Sequence, residues 1–318
     1  MDNVLTAVPR PIYRVGSTTI QKIWETDLNG MTFGQLFPGF GERTREHHPD
    51  WFADGTCDAQ GHVFMSVHSW LVRHGGQIIL VDAGAGNDKR RPQQSVLDGL
   101  TNPFLERLRA AGVAPEDVDV VLVTHIHSDH VGWNTRLQDG RWVPTFPNAQ
   151  IVVSDLEYAY GLALTRGDED AIRGARDRAG LGQPIRTPVS GTFADSILPL
   201  DPASVLRIAI DRPEVLPGIR FLPTPGHSID HASIELTSDG ETAIFPGDVL
   251  HHPVEVYDPD LVSVFCEFPE ASRSARRRLL DHAVTTGSTL FSSHFPCSSV
   301  GHIARTAEGF EWQFFRES

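Results

Sequence analysis

Cysteine is scarce in this chain. Cys57, Cys266 and Cys297 stand far apart and are odd in number. They form neither a disulfide framework nor a CxxC metal pair, so reduced thiols and a cytoplasmic setting are the simplest expectation. Long apolar runs are missing too. None approaches the roughly 20 residues of a membrane span. The first thirty residues carry Arg10, Arg14 and Lys22 and lack the apolar centre of a signal peptide. Positive charge is in deficit: 27 Lys and Arg face 41 Asp and Glu, giving a net charge of −14 and a pI near 5.4. That balance argues against nucleic acid as a partner, because phosphate binding needs clustered cations. The one basic cluster, Arg273 with Arg276-Arg277-Arg278, falls in a helix-like run and reads as a solvated face. No fixed-period repeat, low-complexity tract or linker interrupts the chain. Residues 1–318 are therefore expected to form a single domain.

What is present is ordinary for a globular protein: 40% hydrophobic and 21% charged residues. A chain of 318 residues can bury most of its unfolded surface without covalent staples. Residues 10–35 read as one or two strands, with Ile20, Ile23 and Trp24 as apolar anchors. Residues 37–60 are rich in Gly, Pro, His and Asp and read as a long loop expected to cover a site. The apolar runs 63–73 and 77–82 flank His74-Gly75-Gly76, a hairpin signal. Helical spacing appears at 102–111, 155–164, 168–179 and 269–286, and strands are expected at 118–123, 150–154, 206–210, 219–223, 232–237, 242–245 and 289–293. A last hairpin runs through Gly309, and its apolar stretch 310–315 is a candidate homodimer interface.

The densest chemistry lies in Thr124-His125-Ile126-His127-Ser128-Asp129-His130-Val131-Gly132, directly after an apolar strand. Side chains alternate along a strand, so His125 and His127 emerge on one side. The following turn can return Asp129 and His130 to the same point. Imidazole and carboxylate are the ligands preferred by borderline divalent metals such as zinc. Three more candidates each end a strand at a Gly, Pro or Ser turn: His227 after Thr224-Pro225-Gly226, Asp248 after Phe245-Pro246-Gly247, and His294 after Phe291-Ser292-Ser293. Binding groups usually sit on loops held by a rigid sheet.

The HxHxDH motif at 125–130, followed in order by His227, Asp248 and His294, resembles the metallo-β-lactamase superfamily. The strand end Ile79-Leu80-Val81-Asp82-Ala83-Gly84 is similar to an early strand of that family. The resemblance covers about residues 63–294. It implies an α/β fold, a four-layer αβ/βα sandwich of two mixed β-sheets flanked by helices, with metals at one edge. It also implies two divalent metal ions, zinc by expectation, although iron, manganese and cobalt suit the same ligands. His125, His127 and His227 would surround the first ion, and Asp129, His130 and His294 the second. Asp248 would bridge them, and Asp82 would orient a ligand imidazole through a hydrogen bond.

Such a site activates water without a serine or cysteine nucleophile. The implied reaction is hydrolysis, with hydroxide attacking an electrophilic centre and Asp129 and Asp248 as the catalytic carboxylates. An aspartate at 248 departs from β-lactam hydrolases of the superfamily, which carry Cys or Ser near that position. Flavodiiron proteins place Glu where His127 stands. Ribonuclease Z shares the ligand set but adds an RNA-gripping arm not seen in this sequence. Persulfide dioxygenases use one iron and fewer ligands. The set resembles lactonases, glyoxalase II-type thioesterases and organophosphate or aryl-ester hydrolases. No Arg pair lies near a ligand motif to clamp an anion, so a neutral lactone or ester is the expected small-molecule substrate. His251, His252 and Tyr257 follow Asp248 closely and are candidates for supporting the ligands or touching substrate. Trp133 and Asn134 are expected to pack beneath the motif, and Cys266 and Cys297 to be buried as small apolar residues.

Overall fold

A computed structural model describes residues 11–41, 44, 48–52, 55–212 and 214–315. Two sheets dominate it. The first orders its strands β1-β2-β3-β4-β5-β8-β9: Ile12–Val15, Thr18–Asp27, Ser66–His74, Gln77–Val81, Val120–Leu122, Gln150–Ser154 and Val205–Ile208. The second runs β10-β11-β12-β13-β14-β15: Ile219–Pro223, Ala232–Ser238, Glu241–Phe245, Thr289–Phe291, Val300–Arg305 and Phe310–Phe314. Both are mixed. β4, β5, β8 and β9 pair in parallel, as do β12 and β13, while the remaining pairs are antiparallel.

Alternation along the strands explains how the layers form. In β3, Trp70 and Val72 face the second sheet and meet Phe221, Ile234, Phe245 and Phe291, whereas Leu71 points the other way. In β4, Ile79 and Val81 face inward, while Leu80 joins Phe104 and Leu108 of the helix Phe104–Ala110. The second sheet repeats the scheme. Its outward Ile244 and Leu290 pack on Leu279, Leu280 and Ala283 of the helix Pro269–Thr286. The helix starts with a proline in its first turn and stops at Gly287, whose φ of 61° suits a residue without Cβ. The result is the expected helix–sheet–sheet–helix sandwich.

The expected helices and strands are present, with ends moved by one to three residues. The periodicity did not reveal the small hairpin Thr135–Gln138 (β6) and Arg141–Pro144 (β7), because each strand is four residues long and Thr135 alone is fully buried in it. The basic cluster needs correction. Arg277 and Arg278 are exposed, but Arg276 is fully buried, bonds Glu255 at 2.5 Å and donates to the carbonyls of Val249, Pro259 and Leu261. A guanidinium can be buried when its fork is filled this way. Cys297 also departs from expectation: it is exposed, with φ of 59°, whereas Cys266 is buried. Residues 42–43, 45–47 and 53–54 of the expected covering loop lie outside the described residues. The described part packs elsewhere. Phe37, Phe40, Trp51 and Phe52 form an aromatic cluster with Phe33 and Leu36, since apolar rings gain more by mutual burial than by lining a wet opening.

Candidate metal centre

Five strands end at one edge, and each hands a polar group to the same point. Asp82 follows β4, the histidine cluster follows β5, His227 follows β10, Asp248 follows β12 and His294 follows β13. Asp82 N–H donates to the Leu122 carbonyl, so the Asp82 loop continues the β4–β5 pairing into the site. The 83–86 and 130–134 loops then clasp. Ala83 N donates to His130 O, Gly132 N to Gly84 O, and Trp133 N to Ala83 O. Beneath them the buried Glu25 carboxylate accepts from Ala85 N, Gly86 N and Trp133 Nε1. Trp133 stacks on Phe104, which gives it the supporting place expected, and Asn134 is buried beside it.

All seven proposed ligands converge. His127 Nδ1 and His227 Nε2 lie 2.8 Å apart. The Asp248 carboxylate divides between two sets of imidazoles. Its Oδ1 lies 3.2 Å from His130 Nε2 and 3.1 Å from His294 Nε2, and its Oδ2 lies 3.3 Å from His227 Nε2 and 4.0 Å from His125 Nε2, with His294 Nε2 also 3.2 Å from Oδ2 and so touching both oxygens. Asp129 Oδ2 is 3.7 Å from both His130 Nε2 and His294 Nε2. Candidate ligand atoms within 4.8 Å of one another group as His125–His127–His227, His125–His130–Asp248 and Asp129–His130–His294. A fourth group, His227–Asp248–His251, was not anticipated as a ligand set.

Orphaned atoms test whether cations fit here. His125 Nε2, His130 Nε2 and Asp248 Oδ1 are buried without hydrogen-bond partners. Buried polar atoms are rarely left so, and these three point at one another. The outer ring nitrogens are occupied, as metal-ligand imidazoles require. Asp82 accepts from His130 Nδ1 at 2.9 Å and also from Thr124 N and Thr124 Oγ1. Thr124 Oγ1 contacts His125 Nδ1 at 3.0 Å, Glu267 Oε1 meets His127 Nε2 at 3.1 Å, and Ser66 O meets His294 Nδ1 at 2.9 Å. His227 Nδ1 faces Cys266 Sγ at 3.7 Å. The donor set fits divalent cations.

Electrostatics agree. Burial, reinforced by neighbouring imidazoles, holds His125 and His227 well below the ordinary histidine range, so both are neutral and ready to ligate. Burial opposes charge on His130, yet Asp248, Asp129 and Asp82 outweigh it and keep the imidazole protonated in the metal-free protein. A bound divalent cation would take the place of that proton. Burial also opposes charge on Asp248, but His130, His294 and His227 hold its carboxyl well below the carboxylate range.

Several supporting residues carry no sequence signal of their own. His231 is buried and its Nε2 accepts from Asp248 N at 2.9 Å; burial pushes its pKa down to about 3, which keeps that nitrogen free to accept. Glu157 accepts from Ser228 Oγ, Asp230 N and Ile126 N, tying the His227 turn to the histidine cluster. Glu267 and Glu25 act at similar remove. Only the spacing of His231, four residues after His227, offered a hint.

The three lower-ranked candidates separate. His251 lines the cavity, with Nε2 3.4 Å from Asp248 Oδ2 and Nδ1 3.4 Å from Glu255 Oε2. Burial disfavours its charge, but Glu255 and Asp248 overcome this and raise its pKa to about 10. His252 does not reach the cavity: its Nε2 meets the Thr56 carbonyl and its ring stands edge-on to Phe33. Tyr257 is likewise corrected. Its hydroxyl donates to Trp312 O and its ring stacks on Trp51, so it belongs to packing.

The cavity over the cluster has a volume of about 270 Å³. Its walls come from residues 28–31, 93–97 and 186–189, together with Met65 and Phe265, rather than from the described part of 37–60. Leu28, Met31, Met65, Val96, Leu97, Val189 and Phe265 make most of it apolar.

A family profile described as the metallo-beta-lactamase superfamily matches residues 62–294. The chain belongs to that superfamily. Among solved structures, the superfamily hydrolase AbOPH superposes with a TM-score of 0.76 at 23% identity, covering 98% of both chains. The dizinc quorum-quenching lactonase AidC, bound to an N-hexanoyl homoserine product, gives 0.74 at 19% identity over 97% of this chain and 98% of its own. Sequence relatives are more local. A ribonuclease Z of Mycobacterium avium (strain 104) is 40% identical over 78 residues, 24% of this superfamily member and 22% of the relative. The N-acyl homoserine lactonase AiiB of Agrobacterium fabrum is 32% identical over 79 residues, 21% of this chain and 28% of its own. This chain thus matches 22% and 28% of these relatives' length, while the fold match spans nearly all of it. No helix among the described residues is long and apolar enough to cross a membrane.

Proposed function

We propose that this superfamily member is a dinuclear metal-dependent hydrolase that opens a lactone or cleaves a related carboxylic ester. One observation carries the reading: the Asp248 carboxylate faces two imidazole sets at once, at the floor of a largely apolar cavity. When bound, a divalent pair lowers the pKa of water from 15.7 to roughly 7 and stabilises a developing oxyanion.

The chain's own residues supply the rest. His125, His127 and His227 would hold one cation and His130, His294 and Asp129 the other, with Asp248 within reach of both groups. Thr124, Asp82, Glu267 and Ser66 keep the imidazoles aimed. Asp129 lines the cavity and would accept a proton there. His251 reaches the same cavity and is placed to contact the substrate's carbonyl or leaving oxygen. Apolar walls hold the acyl portion and exclude bulk water. The lactonase names among the fold neighbours and the local sequence relatives support an ester bond, and a net charge of −14 weighs against an RNA substrate.

The test is elemental analysis of purified protein paired with lactones, aryl esters, thioesters, phosphotriesters and a β-lactam. About two divalent ions per chain, with zinc the expected metal, and turnover confined to lactones and carboxylic esters are expected. Rapid paraoxon hydrolysis with inert lactones would replace this reading by a phosphotriesterase on the same site. Asp248→Ala should leave one ion or fewer and cut turnover by roughly three orders of magnitude. Full occupancy and near-normal rate in that variant would remove the bridging role.

A further inference from the structure

The cavity wall holds one fixed positive side chain, and the ester reading above does not use it. Arg186 lies in the loop between the helices Glu169–Ala179 and Thr192–Ser196, far in sequence from every ligand motif. The fold brings it to the metal-centre cavity. Its Nη1 donates to Val264 O at 2.6 Å, and the guanidinium carbon sits 5.6 Å from the centre of the Phe265 ring. Ile185 N donates to Glu267 O, so the loop is pinned to the segment that orients His127. No carboxylate pairs with this guanidinium, and its other N–H groups have no partner among the described residues. Apart from Arg186, His251 and the metal cluster, the described lining is apolar or neutral.

We propose that Arg186 binds a carboxylate carried by the substrate away from its scissile bond, so that the preferred substrates are carboxylate-bearing esters or lactones. The inference rests on the ester reading and narrows its substrate class. A guanidinium is always charged, and its fork matches the two oxygens of a carboxylate. One such cation offsets one negative charge. A single unpaired fork matches the charge and the two oxygens of one carboxylate, which favours the monoanion. Phe265 places the carboxylate site relative to the reaction. Its ring neighbours both the guanidinium and His251, whose ring centre is 6.1 Å away, and His251 in turn abuts Asp248. The acyl chain would therefore run along Phe265, with its ester at the metals and its carboxylate at Arg186.

The experiment uses the metal-loaded enzyme and a series of p-nitrophenyl monoesters of linear dicarboxylic acids, each paired with its terminal carboxamide. The carboxylate member should win by at least about tenfold in kcat/KM at one chain length, mainly through KM, and lose that advantage in high salt. Arg186→Gln should collapse the ratio toward one, and Arg186→Lys should keep part of it, because a point charge survives without the fork. A ratio near one at every chain length, or one unchanged in Arg186→Gln, overturns the inference. Inertness toward every ester and carboxamide overturns the ester reading and this inference with it.

Discussion

Asp82 shows how much one carboxylate can organise. It sits at φ of 57°, a left-handed backbone uncommon outside glycine, with both oxygens engaged by Thr124 and His130. Asp82→Asn must turn an amide N–H toward one of these donors. Divalent-metal affinity should fall about 10- to 100-fold, read by competition with a chelator, while the fold is retained. Unchanged affinity would show that His130 needs no anchor. Asp82 was legible through resemblance, because the strand end Ile79-Leu80-Val81-Asp82-Ala83-Gly84 is similar to one in the superfamily. Glu25, Glu157 and Glu267 were not, because a lone glutamate in a sequence carries no spacing that announces burial. Proximity misled for Tyr257 and His252: closeness in sequence to Asp248 says nothing about which way a ring turns after a short helix.

At the level of elements, the site depends on loops that approach more closely than side chains allow. A Cβ on Gly132 would lie 1.8 Å from Ala85 O, and one on Gly86 would lie 2.7 Å from Gly132 C. Gly226, at φ of 138°, would place a Cβ 2.2 Å from Ser272 N, so the His227 turn rests against the first turn of the helix Pro269–Thr286. Gly132→Ala should therefore cost about 3 kcal/mol or more, because the clash is with backbone and can be relieved only by parting the two loops. The urea midpoint and metal content should fall together in this variant. Wild-type metal content with a lowered midpoint would mean the loops part without disturbing the ligands. Strand and helix identities followed from periodicity, whereas the contact between loops did not, since glycine marks a turn and a close approach alike.

For the whole molecule, buried ionisable groups set how stability follows pH. Burial raises Glu25 and Glu157 from 4.5 to about 7 each. A folded pKa above the unfolded one means the native state holds the proton more tightly, so this contribution is full below about 4.5 and is lost as pH rises through 7. Lys89 has the opposite sense. Burial lowers it from 10.5 to about 7 where it lies over the Trp142 ring and donates to Thr135 and Asp195, so its contribution grows as pH rises from 7 toward 10.5. Between pH 5 and 7 the metal-stripped protein should lose about 2 kcal/mol through Glu25, a falling slope set against the rise that the neutral buried His125, His227 and His231 contribute below about pH 6.5. In Glu25→Gln that slope should shrink, measured by urea melts across this range. An identical slope in the variant would show that Glu25 ionises freely despite its burial.

The ligand set and the layered α/β fold could be read from one dimension, because imidazole spacing, strand alternation and helical period are properties of short segments. The anchoring of those ligands could not. His127 meets Glu267 across 140 residues, and His294 meets the carbonyl of Ser66 across 228. Arg186 reaches the cavity only because its loop bonds to the Glu267 segment of the opposite half. Such pairings exist only once the two sheets close on their shared core and bring unrelated strand ends to one edge. Hydrophobic burial supplies the drive for that closure, and no local pattern records which polar groups it will press together.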